Sequence, residues 1–202
     1  MRIITLIILA IFTAPIAQAQ PHLYDLTDMP ENFYFESAGT RGLTRMRFAG
    51  MEHGAYLFES KLEKPDGTRT MTIVRVNNQS QTLSIQSDEG VTVFAPHDCG
   101  PSLGACEYSA MQDGNLYLLK KQTFIVDGVM VSDTMIKVDN IWVAFRRTCT
   151  TYDQFGFWID SISIRDGKEE NVATRSLPAL TDPPETRLKH LRSVCAGGVM
   201  TS

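Results

Sequence analysis

Nothing in this chain is apolar for long enough to cross a bilayer. The nearest approach, Ile3 to Phe12, is well short of the roughly 20 residues that a transmembrane helix needs. Positive charge is also in short supply: 19 Lys and Arg stand against 23 Asp and Glu, a formal net charge of −4. Binding to nucleic acid requires a clustered cationic excess that neutralises phosphates, so no nucleic-acid partner is expected. Helical periodicity is the third lack. No amphipathic pattern of ten or more residues separates the apolar segments, which excludes βαβ units and the dinucleotide folds built on them.

Catalytic signatures are missing as well. There is no G-x-S-x-G elbow, and Ser102 lies in a Pro-Ser-Leu-Gly loop rather than on a strand-to-helix turn. The spacing of Cys99 and Cys106 is not the C-x-x-C of a redox pair. None of the histidines His22, His53, His97 and His190 stands at metal-ligand spacing from another. The best local cluster is His97-Asp98-Cys99, but neighbours in an extended chain point to opposite sides and converge poorly on an ion. No metal and no cofactor is therefore expected. One enzymatic alternative stays attached to this cluster: a periplasmic hydrolase with a His97/carboxylate site, the carboxylate coming from another strand.

What is present begins at the N-terminus. Arg2, the apolar run Ile3–Phe12 and the small-x-small triplet Ala17-Gln18-Ala19 follow the order of a secretory signal peptide. Cleavage after Ala19 leaves residues 20–202 as a single β-rich domain, soluble rather than membrane-spanning, in a bacterial periplasm or secreted. All four cysteines, Cys99, Cys106, Cys149 and Cys195, lie in that part. In an oxidising compartment an even count reads as two disulfides, with three pairings open. The turn chemistry of Gly100-Pro101 and Gly104 favours Cys99–Cys106. Cys149–Cys195 is then left to tie the C-terminal segment to the body.

Strand-like segments start at Phe33–Ser37 and continue as Leu43–Ala49, Ala55–Lys61, Arg69–Asn77, Gln81–Ser87 and Val91–Ala95. Then come Asn115–Phe124, Val129–Val138, Ile141–Thr148, Phe155–Ile164 and a weaker Asn171–Ser176, with the Cys99–Cys106 stretch read as a loop. Short links rich in Asp-Gly and Asn join them, so neighbours run antiparallel. The expected fold is mainly β: an antiparallel meander, closed as a half-barrel, barrel or sandwich, with one short C-terminal helix at about 182–195. A capping residue, early prolines and the stripe Leu188, Leu191 and Val194 mark that helix. In outline such a meander is similar to the open half-barrels of periplasmic lipid and lipoprotein carriers.

Function turns on what covers the sheet. Ile141 to Phe145 is apolar on both faces, as are the segments around Trp158, so the C-terminal half should be covered on two sides. Either the sheet closes on itself, or it keeps an apolar concavity with Trp142, Phe145, Phe157 and Trp158 among its walls. Arg45 and Arg47, with Arg75, form a cationic stripe if they share a face, unless Glu36, Glu59 and Glu63 balance them. The expected function is non-catalytic: an exported binding or envelope-assembly protein that holds a hydrophobic small molecule or an envelope protein in an apolar concavity or on a sheet edge.

Overall fold

Left-handed residues set the hairpins. Asp113, Asp127 and Asp166 have φ of 49°, 48° and 51°, each followed by a glycine that is also at positive φ. Two such residues in succession give the tight turn whose twist matches antiparallel strands. In the computed structural model, which describes residues 26, 31–78, 81–97, 103–152, 158–175 and 182–197, twelve strands follow one another through such links. They are β1 (Tyr34–Gly39), β2 (Gly42–Glu52), β3 (Ala55–Glu63), β4 (Arg69–Val76), β5 (Thr82–Ser87) and β6 (Gly90–Phe94), then β7 (Gly104–Gln112), β8 (Asn115–Val126), β9 (Val129–Val138), β10 (Ile141–Tyr152), β11 (Trp158–Arg165) and β12 (Lys168–Arg175), with helix α1 (Pro184–Ala196) last. Each strand pairs antiparallel with the next, and β12 returns to β1, closing a barrel.

Closure depends on Gly39. A Cβ built there would lie 2.2 Å from the Val172 carbonyl oxygen, so any larger residue would hold β1 away from β12. The β1–β12 ladder has three residue pairs, Ser37↔Arg175 to Gly39↔Ala173. The β6–β7 ladder, half-way round the ring, also has three, Thr92↔Gln112 to Phe94↔Ala110. These two seams are the thinnest joints of the ring.

One strand was not expected. The stretch read as a loop between Val91–Ala95 and Asn115–Phe124 contains β7, so β6 pairs with β7 and not directly with β8. On its inward face Tyr108 stands between the small residues Cys106 and Ala110, with Glu107 and Ser109 alternating, so the period of two is there with only one bulky residue to announce it. The Cys99–Cys106 pairing cannot be followed, since Cys99 lies outside the described residues, as do the signal-peptide residues and Phe157.

Helix α1 lies on the outside of β9–β11. Leu191 and Cys195 are buried against Val131, Cys149 and Ile162, with Leu188 and Val194 beside them. The Cys149–Cys195 disulfide is formed, with Cα atoms 5.8 Å apart. Polar anchors surround this cluster. Arg187 makes a two-pronged contact with Asp160 at 2.8 and 3.1 Å. Arg147 grips Asp133 at 2.6 and 2.7 Å and donates to the Cys195 carbonyl, one of the carbonyls a helix end leaves unpaired. The expected side-chain cap is not made: Pro183 occupies the cap position. No helix among the described residues is long and apolar enough to cross a membrane.

Candidate functional site

Successive side chains of a strand point to opposite faces, so the registers divide the barrel into an outward and an inward surface. On β1–β4 the outward surface is charged. Arg45 pairs with Glu36 at 2.8 Å and Glu63 at 3.0 Å, Arg47 with Glu59 at 2.6 Å, and Arg75 with Glu52 at 3.3 Å. The arginine stripe therefore exists, but the acids expected as its balance are paired with it. Tyr34 and then Arg45 donate to Glu36 and hold its carboxyl below the usual range. Arg45 and then Arg69 do the same for Glu63. Mid-strand charges of this density are unlike the apolar band of a membrane-spanning barrel wall.

The inward surface differs between the two ends of the barrel. Toward the lower mouth, where the β2–β3 hairpin turns at His53-Gly54, it is apolar. Leu26, Tyr56 and Phe58 are buried there, with Phe33, Met46, Phe48 and Val74 packed on them. Beside this cluster runs a groove of about 480 Å³ lined by Leu26, Glu31, Phe48, Ala49, Gly50, Met51 and Tyr56.

Toward the upper mouth, where the β1–β2, β9–β10 and β11–β12 turns lie, the inward surface is hydrophilic. A row of hydroxyls crosses five strands in register: Thr123↔Ser132↔Thr148↔Ser163, ending on Asn171. Thr123 and Ser132 share a hydrogen bond at 3.1 Å. Asn171 also lines a cavity of about 180 Å³ with Ser37, Thr44, Ser60, Thr70 and Thr72. The next row upward is cationic. Lys121 pairs with Thr134, and Thr134 with Arg146. Arg165 stands across from Arg146, one residue beyond the Arg147↔Ile164 pair. Glu170, the extra residue of a bulge in β12, reaches both guanidinium groups, at 3.0 Å to Arg146 and 3.2 Å to Arg165. Burial pushes the Lys121 ammonium below the ordinary lysine range. Burial likewise raises the Tyr108 phenol.

The aromatic residues expected to share one concavity occupy separate environments. Trp142 pairs with Lys137, whose ammonium sits 5.7 Å above its ring. Phe145 stands where β10 shifts register, between the guanidinium groups of Arg146 and Arg165 at 5.4 and 4.5 Å. Trp158 meets Phe35 edge to face at 5.4 Å, with Arg175 over both rings. The double covering expected for Ile141–Phe145 is not found either. Ile141 and Val143 are 66% and 46% exposed, because β9 and β10 run past the helix and overhang the upper mouth; α1 covers the later part of β10 instead. His97 lies half-buried against the Tyr108 ring at 5.0 Å, and its sequence neighbours Asp98 and Cys99 fall outside the described residues.

The hydroxyl and cation rows were not foreseen. Their signal was alternation of polar residues, Arg146-x-Thr148-x-Thr150 on β10 and Ser161-x-Ser163-x-Arg165 on β11, which reads as a wet outer face until the ring is known to close around it. On the outer surface of β6–β8, Val91, Val93, Met111, Leu116 and Leu118 are exposed side by side. No family model, curated protein or solved structure matches this chain. A barrel hosts many activities, so function has to be argued from the chemistry of its surfaces.

Proposed function

We propose that the chain is an exported, non-catalytic binding or envelope-assembly protein that holds a hydrophobic ligand or partner segment at the lower mouth of its barrel. The observation that carries this reading is the groove of about 480 Å³ beside Leu26, Phe48 and Tyr56. Its floor is buried, while Met51 on its wall is 60% exposed. Methionine is unbranched and polarisable, which suits a surface that adapts to an apolar guest. The Cys149–Cys195 disulfide supports an oxidising compartment, the periplasm or the outside of a cell. Ring closure narrows the other expected route, docking along a sheet edge, because a closed barrel removes edge strands.

The test uses the full chain, exported from a bacterial host and purified without detergent. Uptake of the neutral probe N-phenylnaphthylamine is followed by fluorescence. The wild-type protein should bind it at about one site, and Met51→Glu should lower uptake while the melting curve stays close to that of the wild type. A folded wild-type protein that takes up none of the probe would refute the proposal.

A further inference from the structure

The upper half of the interior carries an imbalance that packing does not account for. Lys121, Arg146 and Arg165 lie in one inward row, and the only carboxylate that meets any of them among the described residues is Glu170. Both arginines lean on one aromatic ring. Phe145 has the Arg146 and Arg165 guanidinium groups over its ring at 5.4 and 4.5 Å, a cation–π contact that restricts both side chains. The Nε–H groups of Arg146 and Arg165 are buried and donate no hydrogen bond. Arg146 Nε is 3.0 Å from Glu170 Oε2 but out of line for hydrogen bonding. Buried donors without an acceptor are costly, and proteins seldom retain them idle. Solvent still reaches the cluster, since the two arginine side chains are 37% and 36% exposed.

Next to this row lie the hydroxyls of Thr123, Ser132, Thr148 and Ser163, and beyond Asn171 the cavity of about 180 Å³. Neutral hydroxyls and an amide provide both donors and acceptors in a fixed array, the complement of a polyol. Guanidinium forks supply the complement of a carboxylate or phosphate. We infer that the barrel contains a second ligand site, separate from the lower groove, that binds a small hydroxyl-rich molecule by its oxyanion group: Lys121, Arg146 and Arg165 hold the anion, and the hydroxyl-lined cavity holds the body.

The full chain is titrated with glucuronate, glucose 6-phosphate, glucose and decanoate, using calorimetry and the arginine Nε–H resonances of the ¹⁵N-labelled protein. At least one of the two anionic sugars should bind and move the Arg146 and Arg165 Nε–H signals, and glucose should do neither. Glucuronate and glucose 6-phosphate then separate a carboxylate site from a phosphate site. Arg165→Gln and Lys121→Gln should each weaken binding by roughly tenfold or more, as loss of a charge-assisted contact requires. Arg45→Gln, on the outward surface, should leave it unchanged. Wild-type Nε–H signals that ignore both anionic sugars overturn the inference, and so does equal weakening by Arg45→Gln. Decanoate that moves the Arg146 and Arg165 Nε–H signals at lower concentration than either sugar overturns the hydroxyl-rich body, whereas decanoate that binds without moving them occupies the lower groove and leaves the inference standing. The spectra are read on the wild-type fold, so they decide the matter even if a variant fails to fold.

Discussion

Replacing Cys149 and Cys195 together by alanine should destabilise the protein by about 4–6 kcal/mol, and the figure can be worked from the structure. The bridge joins residues 46 apart, and closing a loop of that length is worth about 4 kcal/mol in the chain-entropy model. Both sulfurs also fill space in a closed cluster, Cys149 being 0% and Cys195 1% exposed; their removal adds roughly 1–2 kcal/mol of lost packing. For a chain of this size each kcal/mol moves the melting temperature by about 2–4 °C, so a drop of roughly 10–20 °C is expected. Reductant is no substitute for the variant, because Cys106 is disulfide-bonded as well. Thermal melts followed by circular dichroism give the size of the effect, and amide exchange in α1 gives its place. The helix should exchange first, since Arg187–Asp160 and the burial of Leu191 remain as its main anchors. A drop below about 3 °C with α1 still protected would refute the view that the bridge is the principal tie between helix and barrel.

Three further outcomes can be checked on the same protein. Asp160→Ala strands Arg187 in a pair whose side chains are 1% and 15% exposed, and should cost about 3–5 kcal/mol in urea titrations. Gly39→Ala sets a methyl group against the Val172 carbonyl; it should cost about 1–3 kcal/mol, with faster amide exchange concentrated in residues 38–40 and 172–175. Glu36 and Glu63 have folded pKa values held below their unfolded ones. Their contribution is therefore present above the ordinary carboxylate pKa and is lost as pH falls through the depressed values. Arg45→Gln should accordingly destabilise the protein at neutral pH, with the difference from wild type closing in acid. A gap that widened on acidification would contradict the assignment.

Much of the fold was legible because hairpins write themselves locally. Asp-Gly and Asn-containing links located the turns, and alternation in Ala55–Lys61 or Val129–Val138 located the strands between them. The helix could be read from three apolar residues, and its disulfide from the need of Cys149 for a partner. Ring closure was left open because it rests on Gly39 lying against Val172, a contact between residues more than 130 positions apart that no local pattern encodes. The interior site was illegible for the same reason. Arg146 and Arg147 are neighbours in sequence, yet one faces the interior and the other locks Asp133 beneath the helix. Only the direction of closure decides which is which. Trp142 and Phe145, read as walls of one pocket, are three residues apart and so could not share a face of a regular strand; Phe145 is moreover the extra residue where β10 shifts register after Ala144, and sequence gives no warning of such a shift.

The two short seams have a mechanical meaning. Between them the ring comprises two six-strand leaves, β1–β6 and β7–β12, each stitched internally by longer ladders. The ring stays closed only while both seams hold, so each is a latch on the whole lumen. Rupture of either turns a closed ring into an open trough and bares unpaired strand edges to any chain nearby. Gly39, which lets β1 close on β12, therefore guards the protein against its own copies as much as it holds the ring together.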